Sequence, residues 1–225
     1  MTPKGKLGTI LAAGLAVLAL TAGSLGAAPL GGGLRFNLNG DYVITSADDQ
    51  NNGFGGGASV ALSLNRYISL ELNAQFTSVA TTGITTGTAP ILQKGKLTQI
   101  PVQALVQLRL PLPTLPLVPY ITAGAGYSFN FFSLDETLVA DFDDLGIDVT
   151  ESVSGSFVWS VGAGVDFLAS PQFVFNIHAL YRWSSADADW TFTDQVSGES
   201  AQGTLTGIGL KDIVLGIGIG FRLQP

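Results

Sequence analysis

One pattern in the second half of the chain limits its fold more than any other: stretches of alternating apolar and small or polar residues. Clear examples are 161–167, 173–183 and 213–223. A period of two indicates β-strands with two different faces. Here the continuous row is apolar, and the alternate row carries small, polar and charged residues. Such a sheet turns its apolar face to lipid. In a membrane only helices and closed barrels satisfy every backbone hydrogen-bonding group. The pattern therefore predicts a transmembrane β-barrel.

The composition favours membrane strands over membrane helices and excludes several functions. Hydrophobic residues make up 46% of the chain and charged residues 12%, against roughly 25% charged residues in soluble proteins. After residue 28 no apolar run approaches the roughly 18 residues that a spanning helix needs. The net charge of −7 argues against nucleic acid as a partner. The absence of cysteine excludes disulfides, thiolate metal sites and cysteine nucleophiles.

The first 28 residues have the features of a secretory signal peptide. Lys4 and Lys6 form a positive segment, an apolar stretch runs over 7–20, and small residues follow up to Ala28. We expect residues 1–28 to be a signal peptide and 29–225 to be the barrel domain. The alternative is an uncleaved anchor helix, which the shortness of the apolar stretch disfavours.

The alternation predicts an all-β fold, an eight-stranded antiparallel transmembrane barrel. We predict tight or short turns at 65–67, 111–118 and 168–172, and long polar connections at 45–53, 79–96, 132–155 and 185–210. Short periplasmic turns and long outer loops place both chain ends on the periplasmic side. A soluble sandwich or a lipocalin-like barrel is the alternative, but it needs polar outer faces. The predicted strands are 33–44, 54–65, 67–78, 97–110, 119–131, 156–168, 173–184 and 211–223.

Aromatic residues collect where the two rims of such a barrel are expected. Phe167, Phe173 and Phe221 are assigned to the inner rim. The residues assigned to the outer rim are Phe131, Phe132, Trp159, Trp183 and Trp190.

Residues of the alternate row are predicted to line the lumen. Its glycines either leave a narrow channel or allow large residues opposite to reach across the barrel. Its charged residues, which also include Arg35 and Asp41, either pair into a network that plugs the lumen or form a polar constriction that sets selectivity. The candidate lumen-lining residues are Glu71, Arg109, Gly124, Gly126, Gly162, Gly164, Asp166, His178, Arg182, Gly216, Gly218 and Arg222.

No catalytic residue, metal site or cofactor is expected. His178 is the single histidine, which cannot assemble a typical zinc site without cysteine, and we interpret it as a hydrogen-bonded lumen residue. An acidic stretch over 135–151 is interpreted as a solvated loop. The alternative is a loop that divalent cations bridge to anionic lipopolysaccharide.

Three stretches resemble the outer membrane protein W family: 118–132 with Pro119-Tyr120 and alternating glycines, 161–167 ending in Asp166-Phe167, and the last strand with Gly220-Phe221-Arg222. The chain departs from the family pattern because it ends in Leu-Gln-Pro rather than in an aromatic residue. The resemblance implies an eight-stranded barrel in a Gram-negative-type outer membrane. Its expected partners are outer-membrane lipid, lipopolysaccharide, the barrel-assembly machinery and small hydrophobic molecules.

Two functions remain open from the sequence, and an enzyme is not expected. The first is a narrow channel or binding barrel for small, mainly hydrophobic molecules, as the resemblance implies. The alternative is a closed structural or adhesion barrel that acts through its outer loops. Pro101, placed near the outer end of the fourth strand, cannot donate a ladder hydrogen bond. It marks either a lateral exit into lipid or simply the rim.

Overall fold

The computed structural model describes residues 33–46, 50–82 and 94–223; the expected signal peptide lies outside them. The strands are β1 (Leu34–Thr45), β2 (Gly53–Ser63), β3 (Ile68–Thr82), β4 (Lys94–Arg109), β5 (Leu117–Leu134), β6 (Ile147–Val153), β7 (Ser156–Leu168), β8 (Phe173–Asp194) and β9 (Ser200–Leu223). One helix, α1 (Glu136–Asp144), precedes β6. No helix within the described residues is long and apolar enough to cross a membrane.

Eight of the strands form a closed antiparallel barrel, as the alternation predicts. The hydrogen-bonded order is β8, β7, β5, β4, β3, β2, β1 and β9, and β9 pairs again with β8. Closure matters because it leaves no open sheet edge in the hydrocarbon. β6 is outside this ring and pairs with the outer part of β8.

The two ends of the barrel differ in their connections. We call one the short-turn end: it carries the connections 64–67, 110–116 and 169–172, and β1 begins there where β9 ends, with Leu34 opposite Leu223. The other, the long-loop end, carries α1, β6 and the outer parts of β8 and β9. The three short connections lie where the alternation predicts them. The predicted long connection 79–96 lies mostly outside the described residues, and its two ends belong to β3 and β4.

The predicted inside and outside faces are also present. Ile217 is 68% exposed, and Val106 and Val161 are exposed as well, while Glu71 and Gln107 are buried inside the barrel. Leu72 is half-buried on the outer face. Exposed apolar residues at this density on a barrel wall are what a lipid-facing surface requires.

Aromatic side chains lie on the outer surface at two different heights. Phe173 and Phe221 pair at the short-turn end, with ring centroids 5.4 Å apart. Tyr181 and Trp183 pair nearer the long-loop end, with centroids 5.7 Å apart. The ten positions from Phe173 to Trp183 on β8 correspond to about 25 Å along the barrel axis for a strand tilted by about 40°. This matches the height of the apolar band of a membrane barrel.

The prediction for Phe132 and Trp190 was wrong. Phe132 packs against apolar residues inside the barrel, since even-numbered residues of the outer part of β5 point inward. Trp190 lies on the extension of β8 and covers Gly203 of β9, where a Cβ atom would lie 2.1 Å from the indole ring. It is therefore part of the sheet beyond the aromatic rim.

The long polar connections predicted at 132–155 and 185–210 were also partly wrong, because both contain regular structure. β8 and β9 stay paired out to Thr193 and Ser200, with a bulge between Ala186 and Ala188. β6 adds a third strand to this extension. Outside the bilayer a strand has polar residues on its solvent face, so the polarity of these segments does not distinguish a strand from a loop.

The acidic stretch contains the N-terminus of α1. Asp135 is the N-cap of this helix, and its carboxylate accepts hydrogen bonds from the hydroxyl and the N–H of Thr137. These hydrogen bonds lower the pKa of Asp135. Within the part of the chain that the structure describes, no group of three or more acidic or histidine side chains is placed to hold a metal ion. Bridging of this loop to lipopolysaccharide by cations therefore stays a prediction.

Candidate functional site: the barrel interior

The half of the interior nearest the short-turn end is occupied by an ion-pair network around Asp166. This carboxylate is completely buried. It accepts hydrogen bonds from Arg35 and, at 2.6 Å, from Arg109. Asn176 donates to its other oxygen at 2.7 Å. An isolated charge here would carry a large desolvation cost, which multiple charge-assisted hydrogen bonds offset.

Glu71 extends this network toward β3. Its carboxylate accepts a hydrogen bond from the Gln107 amide and lies 4.0 Å from the Arg35 guanidinium. The predicted network of inward charges is thus present for Glu71, Arg109 and Asp166. Arg222 makes no ion pair with any described residue.

A second charged pair spans the interior closer to the long-loop end. Arg182 donates to both carboxylate oxygens of Asp212, at 2.8 Å each. Its guanidinium also reaches across the barrel to Gln75 at 3.2 Å and Thr77 at 3.5 Å. We call these four residues the crossbar, because they join β8 and β9 to β3 through the lumen.

Asp212 and Gln75 were missed as partners of Arg182. Asp212 lies on the inward row of the predicted last strand, so its direction could be deduced from the alternation. Its contact with Arg182 depends on the register of β8 against β9.

Beyond the crossbar, toward the long-loop end, the interior contains one hydrophobic cluster, which also includes Leu180 and Val214 beside the crossbar. Uncharged polar side chains are buried in the same part of the barrel, among them Thr81, Asn130 and Ser156. The interior therefore changes along the barrel axis from an ionic network to a mainly apolar region. The cluster members beyond the crossbar are Val43, Val79, Leu97, Val153, Ala186, Ala188, Ile208 and Leu210.

The lumen glycines provide room for side chains from other positions rather than an open channel. A Cβ atom on Gly216 would lie 2.2 Å from the His178 ring and 2.5 Å from an Asp41 carboxylate oxygen, and one on Gly164 would lie 2.5 Å from the Tyr120 ring. His178 Nε2 lies 3.6 Å from Asp41, and its Nδ1 lies 2.8 Å from the Asn176 amide oxygen. The internal cavity lined by Arg35, Glu71 and His178 has a volume of about 40 Å³.

The other predicted lumen glycines are placed against neighbouring backbone. Cβ atoms on Gly124 and Gly126 of β5 would meet β4 carbonyl oxygens at 2.1 and 2.0 Å. On Gly162 and Gly218 they would meet carbonyl oxygens at 2.4 and 2.7 Å. These glycines let neighbouring strands curve closely around the interior.

We expect Gly216→Val to destabilise the barrel by about 1–3 kcal/mol, because overpacking would push apart His178 and Asp41. Urea unfolding of the protein refolded into lipid vesicles measures this change. Gly209→Val is the matched control, since a Cβ atom at Gly209 meets nothing within 4 Å. Equal stability of the two variants would contradict the close packing at Gly216.

Pro101 interrupts the wall of the barrel between β3 and β4. Their pairing runs up to Ala74 opposite Val102 and resumes at Thr77 opposite Gln99. Pairing of β4 with β5 continues at this level without a break. Pro101 lies near the middle of β4, so its expected place at the outer end of the strand was wrong. Strands β3 and β4 both extend further than the alternation indicated.

Pro101 has no backbone N–H, and its nitrogen lies on the side of β4 that faces β3. The N–H of Arg109 donates toward β3, to the carbonyl of Tyr67 at 2.7 Å, and the N–H of Leu110 donates toward β5 at 2.8 Å. Because N–H groups of alternate residues point to opposite neighbours, odd-numbered residues of β4 face β3. The carbonyl of Gln75, opposite Pro101, therefore receives no hydrogen bond from β4.

The wall is nevertheless closed at this point. Pro101 is less than 2% exposed, and its neighbour Ile100 is 5% exposed. Ile100 lies on the outward row of β4, where the alternation predicts contact with lipid, but it is covered there, with Phe129 opposite it on β5. The β3–β4 seam, by which we mean this contact at Gln75–Phe76 and Ile100–Pro101, is thus packed by side chains but has fewer ladder hydrogen bonds.

Comparisons with known proteins agree with this architecture. The family model for the outer membrane protein beta-barrel domain matches residues 8–222. The crystal structure of OprG from Pseudomonas aeruginosa is 15% identical, with a TM-score of 0.57, over 85% of this chain and 96% of that one. AlkL, solved by solid-state NMR in DMPC bilayers, is 12% identical, with a TM-score of 0.54, over 90% and 95%. Neisserial surface protein A is 13% identical, with a TM-score of 0.51, over 86% and 97%. No curated protein matches the sequence.

Proposed function

Because the chain belongs to the outer membrane protein beta-barrel domain family, we propose that this outer-membrane barrel carries small hydrophobic molecules from outside the cell into the lipid of the outer membrane. The molecule enters the apolar interior at the long-loop end. It stops at the crossbar and leaves sideways through the β3–β4 seam.

The orientation follows from the connections. Membrane barrels of this class have short turns on the periplasmic side and long loops outside. The short-turn end, where β1 begins and β9 ends, then faces the periplasm. The part of the interior that holds the hydrophobic cluster is then the part nearer the cell exterior, where a hydrophobic solute would arrive.

The observation that carries the proposal is that the weak seam and the block in the lumen lie at the same level. Gln75 takes part in the crossbar through its side chain, and its backbone is opposite Pro101. Passage further along the axis would require an apolar solute to displace the Arg182–Asp212 pair and then the network around Asp166. Moving apolar matter past desolvated charges is unfavourable, whereas separating two strands that lack a ladder hydrogen bond at this point costs less.

The decisive experiment is Pro101→Val. Valine has a backbone N–H that can donate to the carbonyl of Gln75, and it favours a regular strand. We expect uptake of an apolar fluorescent tracer across a lipopolysaccharide-containing outer membrane to fall to the level of cells without the protein. Pro119→Val is the matched control, because Pro119 lies on β5 at the short-turn end, away from the seam. Unchanged tracer uptake in a folded Pro101→Val protein would refute lateral exit.

A closed barrel that acts through its outer part is the second candidate, and the packed lumen favours it. The internal cavity of about 40 Å³ holds about one water molecule. The extension formed by β6, β8 and β9 provides a regular surface for a partner. Under this alternative the unmodified barrel takes up no apolar tracer. Shortening the β8–β9 hairpin beyond Ser184 and Leu210 then abolishes binding of the partner. Planar-bilayer conductance near the baseline is expected for both candidates.

A further inference from the structure

A second, larger cavity opens at the short-turn end of the barrel. Its volume is about 460 Å³, and four of the five arginines of the chain line it. They come from β1, the β2–β3 turn, β4 and β9, so barrel closure brings them together. No acidic side chain lines the cavity among the described residues. The four are Arg35, Arg66, Arg109 and Arg222.

The positive charge of this cavity is only partly neutralised. Arg35 and Arg109 share the carboxylate of Asp166, and Arg35 also lies 4.0 Å from Glu71. Arg66 lies 4.5 Å from the centroid of the ring of Tyr67. Neither Arg66 nor Arg222 has an acidic partner within 4 Å in the described part of the chain. Four guanidinium groups thus face two carboxylates, and two positive charges are left over.

We propose that the cavity binds the phosphate group of a small phosphorylated molecule or of a lipid headgroup. The guanidinium fork matches phosphate oxygens in pairs, and a phosphate dianion matches the two unneutralised charges. The volume lies in the usual range for small-molecule sites, so there is room for the rest of the ligand. This site is separate from the seam and from the proposed path of hydrophobic molecules.

The test is NMR of the arginine Nε–H groups in the barrel folded in a nonionic detergent and titrated with inorganic phosphate. We expect saturable shifts of Arg35 and Arg222. In Arg222→Gln the dissociation constant should rise by roughly tenfold or more, since a charge-assisted hydrogen bond is lost. Arg66→Gln is a second variant, which should also raise the dissociation constant. Arg66 lies on an exposed turn, so this change leaves the Asp166 network intact. Lys211→Gln removes the same charge from an exposed position outside the cavity and should leave binding unchanged.

A parallel measurement in phosphatidylcholine nanodiscs with and without phosphatidic acid distinguishes the two sources. Shifts of the same arginines by phosphatidic acid, stronger than those by free phosphate, assign the site to a lipid headgroup. Shifts by free phosphate alone assign it to a soluble phosphorylated molecule. Absence of saturable shifts with both probes overturns the proposal. So does an equal loss of affinity in Lys211→Gln and Arg222→Gln, which would indicate non-specific charge attraction.

Discussion

Replacing Asp166 by asparagine is expected to lower the free energy of unfolding by about 3–5 kcal/mol. Asparagine keeps the size of the side chain but removes its charge. Arg35 and Arg109, which are 3% and 8% exposed, would then be buried without their shared carboxylate. Glu71, 4.0 Å from Arg35, can neutralise only part of that charge. Urea unfolding in lipid vesicles, followed by tryptophan fluorescence, measures the loss.

Asp135→Asn is the matched control for this prediction. Asp135 forms an exposed ion pair with Lys94 at 3.4 Å, and asparagine is also a good helix N-cap. Its replacement should cost much less than that of Asp166, because exposed surface pairs contribute little to stability. If the two variants lose similar stability, the Asp166 network does not hold the short-turn half of the barrel together.

Replacing Ile217 by lysine is expected to cost about 2–4 kcal/mol, because the position faces the middle of the bilayer. Ile217 is 68% exposed on the outer wall. It lies four residues from Phe221 at one aromatic rim and six from Lys211 near the other. A lysine there can reach neither interface without cost. Reversible unfolding between urea and lipid vesicles gives the difference in free energy.

Ala201→Lys tests whether this effect depends on the membrane. Ala201 is exposed on the same strand but in the extension beyond the aromatic rim. Lysine there contacts water, so stability should change by no more than about 0.5 kcal/mol. A small effect of Ile217→Lys, comparable to that of Ala201→Lys, would contradict a lipid-facing wall at Ile217.

The membrane strands and their faces were predictable because they rest on local physics. A period of two assigns each residue to one face, and lipid requires that the outer face be apolar. Ile217 and Val161 could therefore be assigned outward, and Asp166 and Arg109 inward, before any contact was known. The same argument failed for β6 and the outer parts of β8 and β9. There both faces meet water or protein, so the alternation no longer distinguishes a strand from a polar loop.

The sequence by itself determined that the chain forms an inside-out barrel with a charged interior. Strands with one apolar face can cross hydrocarbon only as a closed barrel that turns this face to lipid. Only the tertiary structure decided which charges meet. Arg182 reaches Thr77, 105 positions away in the chain, and Asp166 joins β1 and β4 through Arg35 and Arg109. Tertiary structure also placed Pro101 in the middle of β4 beside the crossbar. Such contacts across a lumen depend on strand register and on how the sheet closes, and no local pattern in the chain encodes either quantity.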